Sequence, residues 1–421
     1  MFLFFPLNTG FLGCFNFSTP STTTTIFFII YVIAFLLFLF VVKSFQKGWL
    51  LFFMKILCQK NLLVDAVSNV SRAVSSKSPI PALEGVFIKT NSDEITLVGY
   101  DLEIGITTNI KADVKEEGQI VLTARLLLDI IRKIPSDIIS IETQENNLCT
   151  IKGGVSEFTV LGIAAEDYPE LPSVEEASNL VLKQSVLRSM IEQTLFAIAA
   201  TDSKPVHTGS LFDVKKENIT LVSVDGYRLA LRKEPFISDS DFSFIVPGKT
   251  LSEVAKLLKE DDNDAVMLVS KKHIIFNIDG YSVISRLLEG DFLDYNAAIP
   301  KTEKTNIQVS TRLFIEGIER TSLLISDRLR SPLKLNMLDD KIKISCNTPM
   351  GKAYDEVECK IDGDSLNMGF NDKYLLDALK AADCDMVKLQ INGPVSPMRI
   401  VPIEGESFLF LVLPVRVKND D

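Results

Sequence analysis

The chain has little of what enzymes and metal proteins usually need. Among 421 residues there are two histidines, His207 and His273, and neither lies beside a nucleophile motif such as GxSxG. The six cysteines, at 14, 58, 149, 346, 359 and 384, form no CxxC pair. That speaks against a zinc site or a disulfide scaffold and is compatible with a reducing cytoplasm. There is no GxxxxGK phosphate loop and no GxGxxG fingerprint. Asp261-Asp-Asn-Asp264 has the composition of a calcium loop but lacks the spaced glycine and the terminal glutamate, so it reads as a solvated loop. Positive charge is also short: 44 basic against 55 acidic residues leave −11. A chain of that balance does not grip phosphates over its whole surface. No catalytic residue, cofactor or metal is expected.

Residues 1–53 differ from the rest. They contain no Asp, Glu or Arg, and only Lys43 and Lys47 are charged, yet they hold 14 of the 27 phenylalanines and the sole tryptophan, Trp49. Ile26–Val42 is a run of 17 apolar residues, at the short end for a membrane-spanning helix. A signal peptide fits less well, since no basic region precedes the run and no A-x-A site follows it. One reading is a single-pass anchor with the soluble part inside. The other is upstream sequence translated ahead of a true start at Met54. The composition break beside Met54 favours the second.

The remainder repeats. Arg125, Asp129 and Arg132 recur 124 residues later as Lys249, Glu253 and Lys256, and 124 later again as Lys373, Asp377 and Lys380. The offsets i, i+4 and i+7 place each triplet on one helical face. A second helix repeats in parallel, with apolar positions Leu63, Val67, Val70 and Val74; then Leu187, Ile191, Leu195 and Ile198; then, more weakly, Phe314, Ile318, Thr321 and Ile325. Asp101 and Asp225 are also 124 apart.

Between the helices the chain reads as strands. Gly85–Thr90, Ile95–Val98, Ile104–Ile110 and Ile138–Glu142 are rich in β-branched residues and bounded by Asn, Asp and Gly. Ile141–Ile163 reads as a hairpin with turns near Glu145-Asn-Asn147 and Gly153-Gly154. Tyr168-Pro-Glu-Leu-Pro172 and Ile299-Pro-Lys-Thr302 close the first and second units, each after an acidic-aromatic run. The expected class is α+β: domains at 54–174, 175–302 and 303–421, each with two helices packed on antiparallel sheet, after the extension at 1–53.

Charge is unevenly divided. The six helical windows carry 17 basic against 11 acidic residues, while the rest of 54–421 carries −19. Helices sharing one side could attract a polyanion although the whole chain is acidic. The plainer reading is solvated helix faces with i,i+4 pairs, worth about 0.2–0.5 kcal/mol each. Asp225-Gly-Tyr-Arg-Leu229 is the sharpest local cluster, and spacing alone reads it as a tight turn with Gly226 at the bend. An enzyme acting there on a small anionic substrate would need a base–nucleophile pair or a metal set, and the sequence offers neither.

From Met54 to Val417 the chain resembles the bacterial DNA polymerase III beta subunit family, the sliding clamps. The resemblance rests on Met54-Lys-Ile, Pro79-Ile-Pro81, Tyr100-Asp-Leu-Glu103, Asp167-Tyr-Pro-Glu-Leu171, Val224-Asp-Gly-Tyr-Arg-Leu-Ala230, Ile245-Val-Pro247 and Leu413-Pro-Val-Arg416. It implies a head-to-tail homodimeric ring of six similar domains in the cytoplasm, with helices lining a hole that holds double-stranded DNA without reading its sequence. It implies a processivity factor with no catalytic site or cofactor. The partners would be the DNA polymerase III alpha subunit, the clamp loader and other clamp-motif proteins, with a membrane added only if residues 26–42 are a genuine anchor. The family's partner pocket carries over to His207, Val224, Gly226, Tyr227, Arg228, Leu229, Leu293, Ala297, Ala298, Pro397, Leu411, Val412, Leu413, Pro414, Val415 and Arg416. Leu293 stands where the family often has Pro, and His207 where it often has Leu. Ala297 and Ala298 are smaller than usual, and Lys418-Asn-Asp-Asp421 is extra. For DNA contact the resemblance points to Lys77, Lys204 and Lys249. Arg125 and Arg132 join them because they share the repeated face.

Overall fold

Short β-branched runs alternate with amphipathic stretches, and the chain folds them into strands and helices in that order. The computed structural model describes residues 54–175, 177–201, 204–326 and 331–416. The extension at 1–53, with its apolar run 26–42, and the ending 418–421 lie outside the described residues. Among the described residues no helix is long and apolar enough to cross a membrane.

The first unit runs β1 (Lys55–Gln59), α1 (Lys60–Val70), β2 (Gly85–Asn91), β3 (Glu94–Tyr100), β4 (Ile104–Lys111), β5 (Asp113–Glu116), β6 (Gln119–Thr123), α2 (Ala124–Lys133), β7 (Ile138–Thr143), β8 (Leu148–Gly153) and β9 (Ser156–Leu161). The second runs β10 (Ser178–Lys183), α3 (Gln184–Glu192), β11 (Gly209–Val214), β12 (Asn218–Val224), β13 (Arg228–Pro235), β14 (Phe242–Pro247), α4 (Gly248–Leu257), β15 (Asp264–Val269), β16 (His273–Ile278) and β17 (Tyr281–Arg286). A short helix, α5 (Tyr295–Ala298), leads to the third: β18 (Thr305–Ser310), α6 (Thr311–Ser322), β19 (Leu333–Leu338), β20 (Lys341–Thr348), β21 (Gly351–Asp362), β22 (Leu366–Phe370), α7 (Asp372–Ala381), β23 (Met386–Ile391), β24 (Met398–Pro402) and β25 (Phe408–Val412). The same order of elements thus appears three times, with β5 an additional strand in the first unit.

The sheets do not stop at the unit boundaries. Strand β17 of the second unit pairs antiparallel with β4 of the first, as in Ile284 opposite Gly105. Strand β25 of the third pairs with β13 of the second, as in Leu411 opposite Leu229. These two joints weld the units into an eight-stranded and a twelve-stranded sheet, beside a five-stranded one ending in β9.

Helices pack in pairs, α1 on α2, α3 on α4 and α6 on α7. Each buries an apolar stripe: Leu63, Ala66, Val67 and Val70 on α1, and Ala124, Leu127, Ile130 and Ile131 on α2. Each large aliphatic side chain so buried is worth about 1.5–3 kcal/mol. The apolar repeat outruns its helices, however. Val74 follows a 3-10 turn, Leu195 opens another, and Ile325 lies beyond α6. Thr194 and Thr321 turn their hydroxyls back onto the carbonyls of Met190 and Gly317, at 2.8 Å each, a competition with the helix ladder that favours its ending. The expected hairpin over 141–163 is a three-stranded meander of β7, β8 and β9. Its turns fall where read, with Asn146, Asn147 and Gly154 at positive φ.

Candidate partner surface and basic helix face

At the second joint Val224, Leu229 and Leu411 lie side by side on β12, β13 and β25, because the register pairs Val224 with Leu229 and Leu229 with Leu411. All three are buried, in a cluster with Val206, Leu211, Val222 and Ile245 that is separate from the two large cores. Half-buried Phe292, Tyr295 and Ile299 pack around it. His207 meets the Phe292 ring edge-on at 5.8 Å. Above this floor the expected surface is apolar and open: Leu293 is 43% exposed, Tyr227 61%, Leu413 38% and Val415 40%. Ala297, Ala298, Gly226 and Arg416 are exposed too, whereas Pro397 and Pro414 are half-buried and Val412 is buried.

Local chemistry fixes this surface in place. The Asp225 carboxylate accepts from the backbone N–H of Tyr227 at 2.9 Å and of Arg228 at 3.0 Å, which sets the turn, and Gly226 takes φ +87° at its bend. The turn expected from the sequence is present, and it does more than reverse the chain. Arg228 Nε donates to Asp225 at 2.9 Å, and its Nη1 donates to Asp377 on α7 at 2.5 Å. The guanidinium lies over the Tyr374 ring at 4.5 Å, with the Phe196 ring at 5.5 Å. Arg228 is therefore a brace across the joint, with 11% of its side chain exposed. Of the last described residues, Leu413 crosses the same joint, its N donating to Tyr227 O, while Val415 N donates to Gly369 O within the third unit, both at 2.9 Å. Short helix α5 is capped by Asp294, which accepts from Ala297 N. Tyr295 OH donates to Asp213 at 2.7 Å, and burial together with that carboxylate pushes its phenol up.

A cavity of about 700 Å³ lies beside this surface, lined by Leu211, Asp213, Phe242, Leu288 and Leu293 among others. Of the expected pocket residues only Leu293 lines it.

The expected DNA-contacting cations are all exposed, in differing settings. Lys77 follows α1, its carbonyl accepting from Ser75 Oγ at 2.8 Å. Lys204 precedes the 3-10 turn Pro205–Thr208. Lys249, in the first turn of α4, forms an ion pair with Asp101 across the first joint. Arg125 and Arg132 lie on α2, where Arg132 donates to Ser68 of α1 at 3.2 Å. The three repeated triplets are not used alike. Glu253 takes Lys256 at 2.7 Å, Lys380 pairs with Glu319 of α6 at 2.7 Å, and Asp377 turns to the second joint. The acidic stretch 261–264 is a helix-start loop: Ser185 N donates to Asp261 O, Gln184 N to Asn263 O, and Lys183 pairs with Asp264 at 2.7 Å.

Sequence reasoning missed Phe196, Tyr374 and Phe292 as parts of the joint. Phe292 sat in a run read only as a boundary, and nothing in the spacing of Phe196 or Tyr374 marks them. Asp377 was legible only as one charge of a triplet.

Comparison with known proteins places these observations. Residues 54–172 match the DNA polymerase III beta subunit N-terminal domain, 181–294 its central domain and 296–416 its C-terminal domain. The beta sliding clamp of Bacillus subtilis is 33% identical over 376 residues, covering 86% of this chain and all of that protein. That of Halalkalibacterium halodurans is 34% identical over 378 residues, with the same shares. Among solved structures, a DNA polymerase sliding clamp from Bacillus subtilis superposes with a TM-score of 0.84 at 32% identity, covering 87% of this chain and 100% of the other. A Pseudomonas aeruginosa sliding clamp bound to griselimycin gives 0.82 at 27%, covering 86% and 100%.

Proposed function

Because the chain belongs to the DNA polymerase III beta subunit family, we propose that it works as that family does, as a sliding clamp. It closes as a head-to-tail dimer around duplex DNA and tethers polymerase, clamp loader and repair factors through the apolar surface at its second joint. It is a processivity factor that holds rather than converts, with no reaction site of its own. Lys77, Lys204, Lys249, Arg125 and Arg132 supply weak phosphate contacts that let DNA slide. Retention comes from topology, since a closed ring has no side exit.

The observation that carries this reading is an unfinished third joint. Strand β9 ends its sheet, paired with β8 alone. Strand β21 pairs with β20 from Gly351 to Glu358 and with β18 only from Cys359 onward. These are the counterparts of the strands that meet at the first two joints. Both edges carry exposed apolar side chains, with Phe158 39%, Leu161 70% and Tyr354 60% exposed. Such edges invite a partner strand, and a second copy supplies it twice by symmetry. Gly99 pairs with Ile106 and Ser223 with Ala230 as Cys346 pairs with Ala353, each on the helix-packed face, so Ala353 takes the place of Ile106 and Ala230 at the third joint. Carrying the β4–β17 register over sets Ala353 opposite Phe158 of the partner copy and Lys352 opposite Thr159 of the partner copy.

The test is retention. The purified dimer, loaded by its clamp loader, should stay on nicked circular DNA and run off once the circle is linearised. Equal retention on both forms would refute encirclement.

A further inference from the structure

The twelve-stranded sheet begins at an edge that the chain covers only in part. Strand β14 is its first strand and, among the described residues, pairs with β11 alone. The linker after β17 takes one end of the other side, where Leu288 N donates to Ile245 O at 2.9 Å. Hydrogen-bonding direction alternates along an antiparallel strand. Ser243, two residues before Ile245, therefore turns its N–H and C=O to the same open side. The cavity of about 700 Å³ lies along this stretch, lined by Phe242, Ser243 and Phe244 from the strand.

The lining says what kind of strand fits. Its charged side chains are the carboxylates Asp213, Glu289, Asp291 and Asp294, against Lys271. Asp213 stands opposite Ser243 in the β11–β14 register, so the two side chains share one face of the sheet. It is buried, with Tyr295 at 2.7 Å and Lys215 at 3.1 Å. Glu289, with Arg286 at 3.6 Å, and Asp291 are exposed. Half-buried Phe242 lies on the other face, stacked with Phe244 at 6.0 Å. An added strand thus meets carboxylates with one set of alternate side chains and an aromatic ring with the other. Leu293, exposed on the partner surface, lines the same cavity, so the two surfaces are continuous.

We propose that the open edge of β14 is a second docking groove, which takes a basic extended segment of a partner protein as an added strand. Backbone bonds to Ser243 hold the segment, and its Lys or Arg side chains face the carboxylates. That a clamp partner delivers it, anchored first at the second joint, rests on the proposed function; the groove itself does not.

The probe is fluorescein-labelled Lys-Val-Lys-Val-Lys-Val, titrated onto the full-length dimer by fluorescence anisotropy, with Glu-Val-Glu-Val-Glu-Val as the control. The lysine peptide should bind saturably and the glutamate peptide should not. Glu289→Lys with Asp291→Lys should weaken binding about tenfold, while the same reversal at exposed Glu260 and Asp262 should leave it unchanged. Ser243→Pro, which removes the outward N–H of an edge strand, should weaken it too. No binding of the lysine peptide, or unchanged binding in either groove variant, overturns the proposal. Equal loss from both double reversals also overturns it, since that is general attraction to an acidic chain. So does growth of the dimer into larger species without peptide, lost in Ser243→Pro, which makes a second copy the occupant. The double reversal keeps the test decisive if Ser243→Pro does not fold. Failure of the clamp reading shows separately, as loss of circular-DNA retention by the unaltered dimer.

Discussion

Arg228 and Asp377, 149 residues apart, meet at 2.5 Å between β13 of the second unit and α7 of the third. The guanidinium is 11% exposed and also holds Asp225, so one cation serves two carboxylates from different units. Replacing it leaves two negative groups facing each other in a largely enclosed joint. Arg228→Gln should destabilise the chain by roughly 2–4 kcal/mol. Asp377, more open at 44%, should cost about 1 kcal/mol as Asp377→Asn. Urea midpoints measure both, and a wild-type midpoint for Arg228→Gln would mean the pair does not brace the joint.

The DNA-facing cations separate by what else they do. Lys77 should be replaceable by Ala with no change in melting temperature, lowering the slope of log affinity against log salt by about one unit. Lys249→Ala should lower that slope similarly and also shift melting, because Asp101 loses its partner across the first joint. Titrations at several salt concentrations, paired with thermal melts, distinguish the two behaviours.

Ring closure has its own signature. Lys352→Cys combined with Thr159→Cys should cross-link into covalent dimers with a short bis-maleimide, while either alone should not. Phe158→Asp should leave a folded monomer by light scattering. A persistent dimer would show that β9 is not the closing edge.

His273 gives a pH test. Burial first, then the charges of Arg286 and Lys272, hold its imidazole below the usual 6.5. The unfolded chain therefore binds more protons between the folded value and 6.5, and stability rises with pH across that window. As pH falls through it, His273 withdraws its contribution. Subtracting the stability curve of His273→Gln from wild type should reveal this slope below about 6.5. Parallel curves would exclude it.

Much of the fold was legible because repetition is a property of spacing. Triplets 124 residues apart, amphipathic stripes and Asn- or Gly-marked turns each follow from local geometry. The partner surface was legible only through family resemblance. Leu229 and Leu411 are 182 residues apart, and no local rule says that β13 will pair with β25. The bracing contacts of Arg228 were hidden for the same reason. Its role depends on Asp377 and Tyr374, which reach it only once the third unit has docked.

By itself the sequence determined three α+β units, their helix faces and their turns, since a period of 2 or 3.6 and a residue's tolerance of positive φ are settled within a few residues. Tertiary structure alone decided that the sheets run through both joints, that one linker extends and the other coils, and that β9 and the first part of β21 each keep one side without a partner strand. Those outcomes depend on which strands meet across a hundred residues or more, and backbone hydrogen bonds between strands carry no sequence code of their own.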